Sequence, residues 1–580
     1  MKWTGVPVFP GVVSGPAFRY MPWSRTDSVC AADTINDPKE KIRAYDKART
    51  SALEALERDR VRLERQGSPH AKILGAHQML LRDAAIDEEI RGALEYGSSV
   101  TEAVNQIYDA FISVLNKAEN QFTRERVADL EDVRDRLLCC LMGEAKRGLS
   151  VLTQPAIVVA KELYPSDTAL IDRDMVLAVV TENGGITSHT AVVARSLGIP
   201  TVLGVPGIVE ALDDGEEVTV DGEAGAVYVS PTEMEAELCR SRSMAMRARA
   251  EQERSFRQAR PVTRDGVQIQ VELNLAGPGM AQPEEIAACD GVGLLRSEFL
   301  YMDQDTLPSE ETQYRAYCAV LEEFRGKPVI LRTIDIGGDK QLPALLLPHE
   351  DNPFLGNRAL RLCFTRPDLF RTQLRAALRA SARGKLWIMF PMVASMDDWR
   401  QARQMTRAVV EELAQEGQAY DPEIPLGVMI EIPSIALTAD QIAREVDFAS
   451  VGTNDLCQYM TAADRLNPQV SRYYQTFSPA MLRLLGFVAR SFAAAGKPVG
   501  VCGEMAGDPR GALALIGLGY RSLSMNAPAI AAVKQVITGI SVAEAESLLE
   551  DACKQDSAEA ISEVLSTYVK GLEGYVPGKE

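Results

Sequence analysis

The chain has 580 residues, and its 81 acidic and 62 basic side chains give a net charge of −19 and a pI near 5.0. This length predicts about three compact units, and the acidic balance argues against a nucleic-acid or anionic-membrane surface. Ten cysteines occur without a CxxC pair, so we expect neither a zinc site nor a disulfide framework, and a reducing cytosol is the expected compartment. The first residues lack the apolar core of a signal peptide, and no later run reaches membrane-spanning length.

The character of the sequence changes twice in its first half. Residues 1–20 are β-prone and rich in Gly and Pro, whereas 37–148 carry charged and apolar residues at helical spacing. The simplest interpretation is one α/β domain formed by 1–20 and 150–230, with a helical insertion over 21–149. Charged, weakly apolar residues over 231–261 then predict an exposed linker helix between domains.

Residues 184–200 read GGITSHTAVVARSLGIP. Two glycines suit a loop with positive backbone angles, Thr187 or Ser188 is a good N-cap, and Gly198 predicts the helix end. His189 therefore falls in the first turn of a short helix, where the helix dipole keeps an imidazole neutral and favours a nearby phosphate. From these residues alone two interpretations stay open: a histidine that carries a phosphoryl group, or a buried histidine that caps a helix.

After residue 266, short apolar strands alternate with helical segments. Eight strands are predicted, at 267–274, 291–295, 328–332, 386–391, 426–431, 448–452, 498–502 and 522–525. This alternation over about 300 residues predicts a closed (β/α)₈ barrel of the TIM type. Because chemistry in such barrels lies where the strands end, we expect the site there.

Four arginines lie at these strand ends or in the loops that follow them, namely Arg296, Arg332, Arg358 and Arg465. A single arginine in such a place more often forms a surface ion pair. Four that converge on one mouth predict an anion site, because guanidinium groups match the geometry of phosphate and carboxylate. A ligand that carries both groups fits best.

Two carboxylates, Glu431 and Asp455, are expected side by side at the ends of consecutive strands. With a bound phosphate they suit Mg²⁺ or Mn²⁺, although each carboxylate could instead neutralise an arginine. Cys502 also ends a strand. Most cysteines are inert core residues, but a thiol with an ordinary pKa is protonated at neutral pH and could donate a proton to a ligand.

Together these motifs resemble those of the enzyme I family of the bacterial phosphotransferase system, within the phosphoenolpyruvate-utilising enzymes. The resemblance covers roughly 3–575 and includes the stretch 184–200 and the strand ends around Arg296, Arg332 and Cys502. It implies a multidomain α/β protein: a swivelling phosphohistidine domain with an inserted helical bundle, followed by the barrel over 262–580. It further implies that the bundle docks the phosphocarrier protein HPr, and that the barrel binds phosphoenolpyruvate and forms a homodimer.

The resemblance also assigns roles to individual residues. His189 would accept the phosphoryl group of phosphoenolpyruvate and pass it to HPr, and Cys502 would protonate the enolate carbon as pyruvate forms. The substrate residues it implies are Arg296, Arg332 and Arg465, with Arg358, Asn454 and Asp455 beside them. It implies that Glu431 and Asp455 bind Mg²⁺. Supporting roles fall to Arg126 and Arg195, which would help hold the phosphoryl group, and to Thr168, which would bond the histidine.

Two other functions share parts of this pattern. A phosphoenolpyruvate synthase or pyruvate phosphate dikinase has the same signature and barrel, but here the region before His189 is mostly helical and lacks a Gly-rich nucleotide loop. A non-catalytic HPr-binding regulator is the alternative from another class, and a nitrogen-related paralogue lies between the two. His189, Cys502 and the carboxylates argue against an inactive scaffold, and the absence of a sensory region before Gly5 argues against the paralogue.

Overall fold

A computed structural model describes residues 1–20, 30–65, 71–116, 121–143, 149, 152–169, 171–185, 188–302, 306–337, 344–345 and 348–572. The chain divides into two compact units, Met1–Ala248 and Arg249–Glu580, called here the first and second unit. Over the described ranges, no helix combines the length and the apolar character needed to cross a membrane.

The first unit contains one eight-stranded sheet built from both ends of its sequence. Its strands are β1 (Lys2–Thr4), β2 (Val6–Phe9), β3 (Val12–Tyr20), β4 (Ala156–Ala160), β5 (Val176–Thr181), β6 (Thr201–Leu203), β7 (Glu217–Asp221) and β8 (Ala226–Val229), in the order β1-β8-β7-β3-β4-β5-β6-β2. The long strand β3 pairs parallel with β4 and antiparallel with β7, so it joins the two parts of the sequence. Ala17 from the first part joins buried valines of the second, such as Val159, Val180 and Val218, in the core beneath, since strands covered on a face are apolar there.

Within the described ranges, five α-helices lie between β3 and β4. They are α1 (Pro38–Arg65), α2 (Ala71–Leu81), α3 (Ala84–Glu95), α4 (Val100–Asn116) and α5 (Gln121–Met142). Leu56, Leu74, Ile90, Val104 and Leu137 are fully buried in their shared core. The prediction of an α/β sheet interrupted by a helical bundle is therefore confirmed. Three more helices follow, α6 (Pro165–Ala169), α7 (His189–Leu197) and α8 (Glu233–Gln258), the last at the predicted linker.

The second unit is a closed barrel of eight parallel strands. They are β9 (Gln270–Leu275), β10 (Gly291–Arg296), β11 (Val329–Arg332), β12 (Leu386–Phe390), β13 (Leu426–Ile430), β14 (Phe448–Val451), β15 (Val499–Val501) and β16 (Ser522–Met525). Each pairs with the next, and β16 returns to β9. All eight lie within about three residues of the predicted strands, because strands buried on both faces are apolar runs that are easily recognised. The predicted barrel is confirmed.

Helices surround the barrel and extend beyond its last strand. They are α9 (Pro283–Ala288), α10 (Glu310–Glu323), α11 (Leu360–Thr365), α12 (Pro367–Ser381), α13 (Met396–Gln415), α14 (Pro433–Leu437), α15 (Ala439–Ile442), α16 (Thr453–Thr461), α17 (Pro479–Ala495), α18 (Pro509–Leu518), α19 (Ile530–Gly539), α20 (Val542–Ala552) and α21 (Ala558–Gly571). The last two pack on the barrel, where Leu549 and Leu565 join its core. Gly517 of α18 permits this approach, because a Cβ there would lie 2.6 Å from the carbonyl oxygen of Ala545.

Candidate active site

The carboxyl ends of the barrel strands bring most of the predicted residues to one mouth. Arg296 and Arg332 end β10 and β11 and are register partners in that strand pair. Glu431 directly follows β13, Asp455 lies in the first turn of α16 after β14, and Cys502 directly follows β15. Because all the strands are parallel, these residues share one edge of the barrel.

Two of the four arginines are buried and held by acidic side chains. Arg332 Nη2 donates to Glu298 Oε1 at 2.7 Å, and its Nη1 lies 3.0 Å from Asp335 Oδ2. Arg358 Nη2 donates to Asp335 Oδ1 at 2.8 Å. Asp335 therefore bridges the two guanidinium groups, which fixes their orientation before any ligand arrives.

Burial and charge oppose each other at these arginines. Burial alone would lower the pKa of Arg332, but Glu298, Asp335 and Glu431 outweigh it, so its pKa rises above the ordinary value. The pKa of Arg358 is raised in the same way, with burial opposed by Asp335 and Asp455. Both guanidinium groups therefore stay charged inside the barrel mouth.

The other two arginines are more accessible. Arg296 is exposed and, across the described ranges, forms no ion pair. Arg465 has a side chain 29% exposed, and its Nη1 lies 3.8 Å from Asp455 Oδ2, too far for a strong pair. The site therefore combines two fixed guanidinium groups with two that retain donors for a ligand.

The Glu431 carboxyl is fully buried. Its Oε1 accepts a hydrogen bond of 2.6 Å from the N–H of Met392, a non-glycine residue with a φ of 55°. Its Oε2 is buried and has no hydrogen-bond partner among the described residues. Burial, together with the charges of Asp455 and Asp335, raises the pKa of Glu431 above its ordinary value.

Asp455 is similar but lies closer to the arginines. Its Oδ1 lies 3.6 Å from Arg358 Nη1 and has no hydrogen-bond partner among the described residues. The expectation that the carboxylates lie at adjoining strand ends agrees with this geometry, and so does partial neutralisation of arginines by Asp455. Neither alternative excludes the other.

These two buried, under-bonded carboxylate oxygens fit a hard divalent cation. Mg²⁺ and Mn²⁺ prefer oxygen ligands, and an unpartnered buried carboxylate oxygen is costly unless a cation or proton meets it. No cluster of three or more His, Cys, Asp or Glu side chains with metal-ligand geometry occurs in the part of the chain that the structure describes. Other oxygen ligands would have to come from substrate or water.

Cys502 is 4% exposed and packs on the barrel interior beside Met389 and Met429. Its Sγ donates weakly to the carbonyl of Val451 at 3.7 Å. Burial, partly offset by the Ser450 hydroxyl and Arg332, raises the pKa of the thiol to about 11. The thiol is therefore protonated at neutral pH, as a proton donor must be.

A cavity of about 920 Å³ opens at this end of the barrel. Arg296, Asn454 and Cys502 line it, and Lys570 of α21 lines it as well. Asn454 Oδ1 accepts from the N–H of Glu504 at 2.9 Å, which orients the side-chain amide. The cavity is large enough for a small phosphorylated acid.

In the first unit, α7 begins at His189, as the sequence predicts. Ser188 is the N-cap, with its Oγ accepting from the N–H of Ala191 at 3.3 Å, and Gly198 ends the helix with a φ of 67°. Of the two glycines, Gly184 takes a positive φ, of 104°. Thr187, the other N-cap candidate, and the side chain of His189 lie outside the described residues and atoms.

Three supporting residues have defined surroundings. Thr168 is buried, and its hydroxyl donates to the carbonyl of Pro165 at 2.9 Å. Arg195 is exposed, and its Nε donates to the carbonyl of Val8 at 3.5 Å. Arg195 lies in the last turn of α7, about 9 Å along the helix axis from His189. Arg126 is exposed on α5. Their roles toward the phosphoryl group stay predictions.

Sequence reasoning assigned no role to several residues that build this site. Glu298 follows Arg296 by two residues and Asp335 follows Arg332 by three, so this proximity in sequence was an available signal. Tyr459 gave no such signal, yet its hydroxyl accepts from Arg358 Nη1 at 3.1 Å and donates to the carbonyl of Phe354 at 2.7 Å.

Family comparisons match this organisation. The PEP-binding domain of PEP-utilising enzymes matches residues 250–542, the mobile domain of those enzymes matches 152–225, and their N-terminal domain matches 4–126. The barrel mouth and the helix α7 therefore lie in matched domains, and the chain belongs to the class of PEP-utilising enzymes.

Individual relatives narrow this class. A phosphoenolpyruvate-protein phosphotransferase of Staphylococcus carnosus is 39% identical over 541 residues, covering 93% of this chain and 94% of that protein. One from Listeria innocua is 40% identical over 537 residues, covering 92% and 94%. The chain belongs to the phosphoenolpyruvate-protein phosphotransferase family, a family of transferases, as its sequence motifs predicted. A solved structure of the protein titled Enzyme I (nEIt) is 32% identical, covers 42% of this chain and 99% of its own, and has a TM-score of 0.37.

Proposed function

We propose that this chain is a general phosphotransferase-system enzyme that moves the phosphoryl group of phosphoenolpyruvate first to His189 and then to a histidine of HPr. One arrangement at the barrel mouth carries the proposal. Arg296 and the protonated thiol of Cys502 line one cavity, and Arg332 is the register partner of Arg296. Arg358 and Arg465 adjoin them through Asp335 and Asp455. Phosphoenolpyruvate has a phosphate, a carboxylate and a carbon that must be protonated, and the barrel mouth offers arginines for the two anionic groups and a thiol for the carbon.

Binding requires more positive charge than the protein alone supplies. The four arginines are opposed by Glu298, Asp335, Glu431 and Asp455, so the mouth is close to neutral when all are ionised. Phosphoenolpyruvate carries about three negative charges at neutral pH. Mg²⁺ or Mn²⁺, held by Glu431 and Asp455, would supply the missing positive charge and neutralise the phosphate oxygens.

The protein then has two tasks in the first transfer. The arginines hold the phosphate in line, so that its bond to the substrate oxygen breaks as a bond to an imidazole nitrogen of His189 forms. The substrate oxygen becomes a carbonyl, and carbon 3 takes the proton of the Cys502 thiol, which yields pyruvate. The remaining thiolate regains a proton from water before the next cycle.

The second transfer requires His189 to meet a different partner. His189 belongs to the first unit and every proposed phosphoenolpyruvate residue belongs to the second, so the cycle requires the phosphohistidine domain to swivel. We assign 1–20 and 150–230 to this domain, 21–149 to HPr docking, 231–261 to the linker, and 262–580 to substrate binding and homodimer formation. We predict that the protein acts in the cytoplasm.

Labelled phosphoenolpyruvate tests the proposal directly. With Mg²⁺ the chain is expected to acquire an acid-labile label that passes to added HPr. The label is expected to disappear in His189→Ala and to persist in His349→Ala, a matched control at an exposed histidine outside the proposed site. Label that requires ATP would identify a dikinase-like enzyme, and HPr binding without label would identify a regulator.

A further inference from the structure

The segment that carries Cys502 is held at three backbone points. The N–H of Cys502 donates to the carbonyl of Val451 at 3.1 Å, and the N–H of Glu504 donates to Asn454 Oδ1 at 2.9 Å. The third point is the carbonyl of Cys502, which accepts from Asn274 Nδ2 at 3.0 Å. Two asparagine side chains thus fix the backbone on either side of this turn, and Asn274 has no role in the chemistry described above.

Asn274 is itself fixed from the opposite side. It lies on β9, and its Oδ1 accepts from the hydroxyl of Ser524 on β16 at 2.6 Å. The turn has little room to move, since a Cβ on Gly503 would lie 1.9 Å from Thr453 Oγ1. Asn274 also lines the cavity together with Cys502 and Arg296. Its amide therefore fixes the backbone of Cys502 at the wall of this cavity.

We propose that Asn274 is a positioning residue for proton donation: by holding the carbonyl of Cys502, it sets the direction in which the thiol faces carbon 3 of the substrate. This inference rests on the proposed function, because it acts through Cys502. Without the Asn274 donor, the carbonyl can rotate and the thiol moves with it. A displacement of about 1 Å at a reacting group is enough to slow a chemical step strongly.

Single-turnover pyruvate formation in the full-length enzyme tests this role. In Asn274→Ala the rate is expected to fall about tenfold, while the phosphoenolpyruvate concentration for half-saturation changes less than about threefold. Transfer between phosphorylated His189 and HPr is expected to be unchanged. Ser522→Ala is the matched control, because this hydroxyl on the same strand as Ser524 donates to Glu272 instead of Asn274 and its loss is expected to leave the rate intact. Asn274→Asp, which keeps the size of the side chain, replaces the alanine variant if that variant does not fold.

A double-mutant cycle separates positioning from other roles. In a Cys502→Ala background, Asn274→Ala is expected to cause no further loss of rate. A further tenfold loss of rate in that background would mean that Asn274 contacts substrate and would overturn the proposal. A large rise in the phosphoenolpyruvate concentration for half-saturation, at an unchanged rate, would do the same. An equal loss of rate in every step, together with a lower melting temperature, would also overturn the proposal. Wild-type pyruvate formation in Cys502→Ala alone would instead refute the proposed proton donor.

Discussion

Asp335 holds two guanidinium groups at once. Its Oδ2 lies 3.0 Å from Arg332 Nη1, and its Oδ1 lies 2.8 Å from Arg358 Nη2. All three side chains are at most 7% exposed. In such surroundings an ion pair mainly fixes geometry, because the cost of removing the charges from water offsets much of their attraction. The loss of Asp335, however, leaves two buried guanidinium charges less fully compensated.

Asp335→Ala is therefore expected to lower the free energy of unfolding of the barrel by about 3–5 kcal/mol. Denaturant unfolding followed by tryptophan fluorescence measures the change. Asp368→Ala is the control, because its partner Arg366 and Asp368 itself are 43% and 63% exposed, and we expect no measurable change there. Equal stabilities for the two variants would contradict the described pairing.

The Cys502 thiol gives the site a defined pH dependence. Because burial raises its pKa to about 11, the neutral thiol that the folded state favours persists as pH rises past the ordinary thiol value, and it is lost only near pH 11. Alkylation of Cys502 in the folded chain is expected to accelerate near that pH, whereas in the unfolded chain it accelerates near about 8.5.

Mass spectrometry of the modified peptides follows this reaction. The exposed Cys553 serves as an internal reference for the reactivity of the alkylating reagent. Pyruvate formation is likewise expected to show no loss from thiol ionisation between about pH 8 and 10. A folded-state profile with its midpoint near 8.5 would show that the thiol is not shielded as described.

At the scale of elements, the short helix α6 links the helical bundle to the sheet of the first unit. Asp132 of α5 accepts from the N–H of Ser166 at 3.1 Å, and Asp167 accepts from the hydroxyl of Tyr20 on β3 at 2.6 Å. His77 Nδ1 of α2 lies 3.8 Å from Asp132 Oδ2. A buried polar network thus connects α2, α5, α6 and β3, and the turn that carries Thr168 lies at its centre.

Tyr20→Phe removes one buried donor from this network, and we expect it to cost about 2 kcal/mol of unfolding free energy because the acceptor is a carboxylate. Thermal unfolding measures the change. Tyr96→Phe provides the matched control, because Tyr96 is 95% exposed and water takes the place of the lost hydroxyl. Equal melting temperatures for the two variants would count against a structural role for this network.

At the scale of the whole molecule, the barrel unit contains its own core and every proposed substrate residue. Its largest hydrophobic cluster lies entirely within Arg249–Glu580. A unit with a closed core of its own is expected to fold by itself. The proposed phosphoryl transfer, in contrast, requires both units, because His189 belongs to the other.

The fragment Arg249–Glu580 is therefore expected to bind phosphoenolpyruvate in the presence of Mg²⁺, and a chelator is expected to weaken that binding by at least about tenfold. Titration calorimetry measures both, with the Arg332→Ala fragment as the control that loses binding. A folded fragment that does not bind would show that the first unit contributes to the substrate site.

The sequence by itself determined those features that depend on near neighbours. The ends of α7 follow from Ser188 and Gly198, because capping and left-handed backbone are properties of a few adjacent residues. The eight barrel strands follow from short apolar runs, and the mouth follows from the polar residues at their ends. The roles of the site residues and the domain boundaries stay predictions.

Tertiary structure alone decided which side chains meet. Asn274 and Cys502 are 228 positions apart, and they come together only because β16 closes the barrel onto β9. Arg358 and Tyr459 likewise meet across 101 positions. Local patterns show which residues end a strand, but the distances between those ends, and therefore the charges and pKa values of the site, depend on closure of the whole barrel.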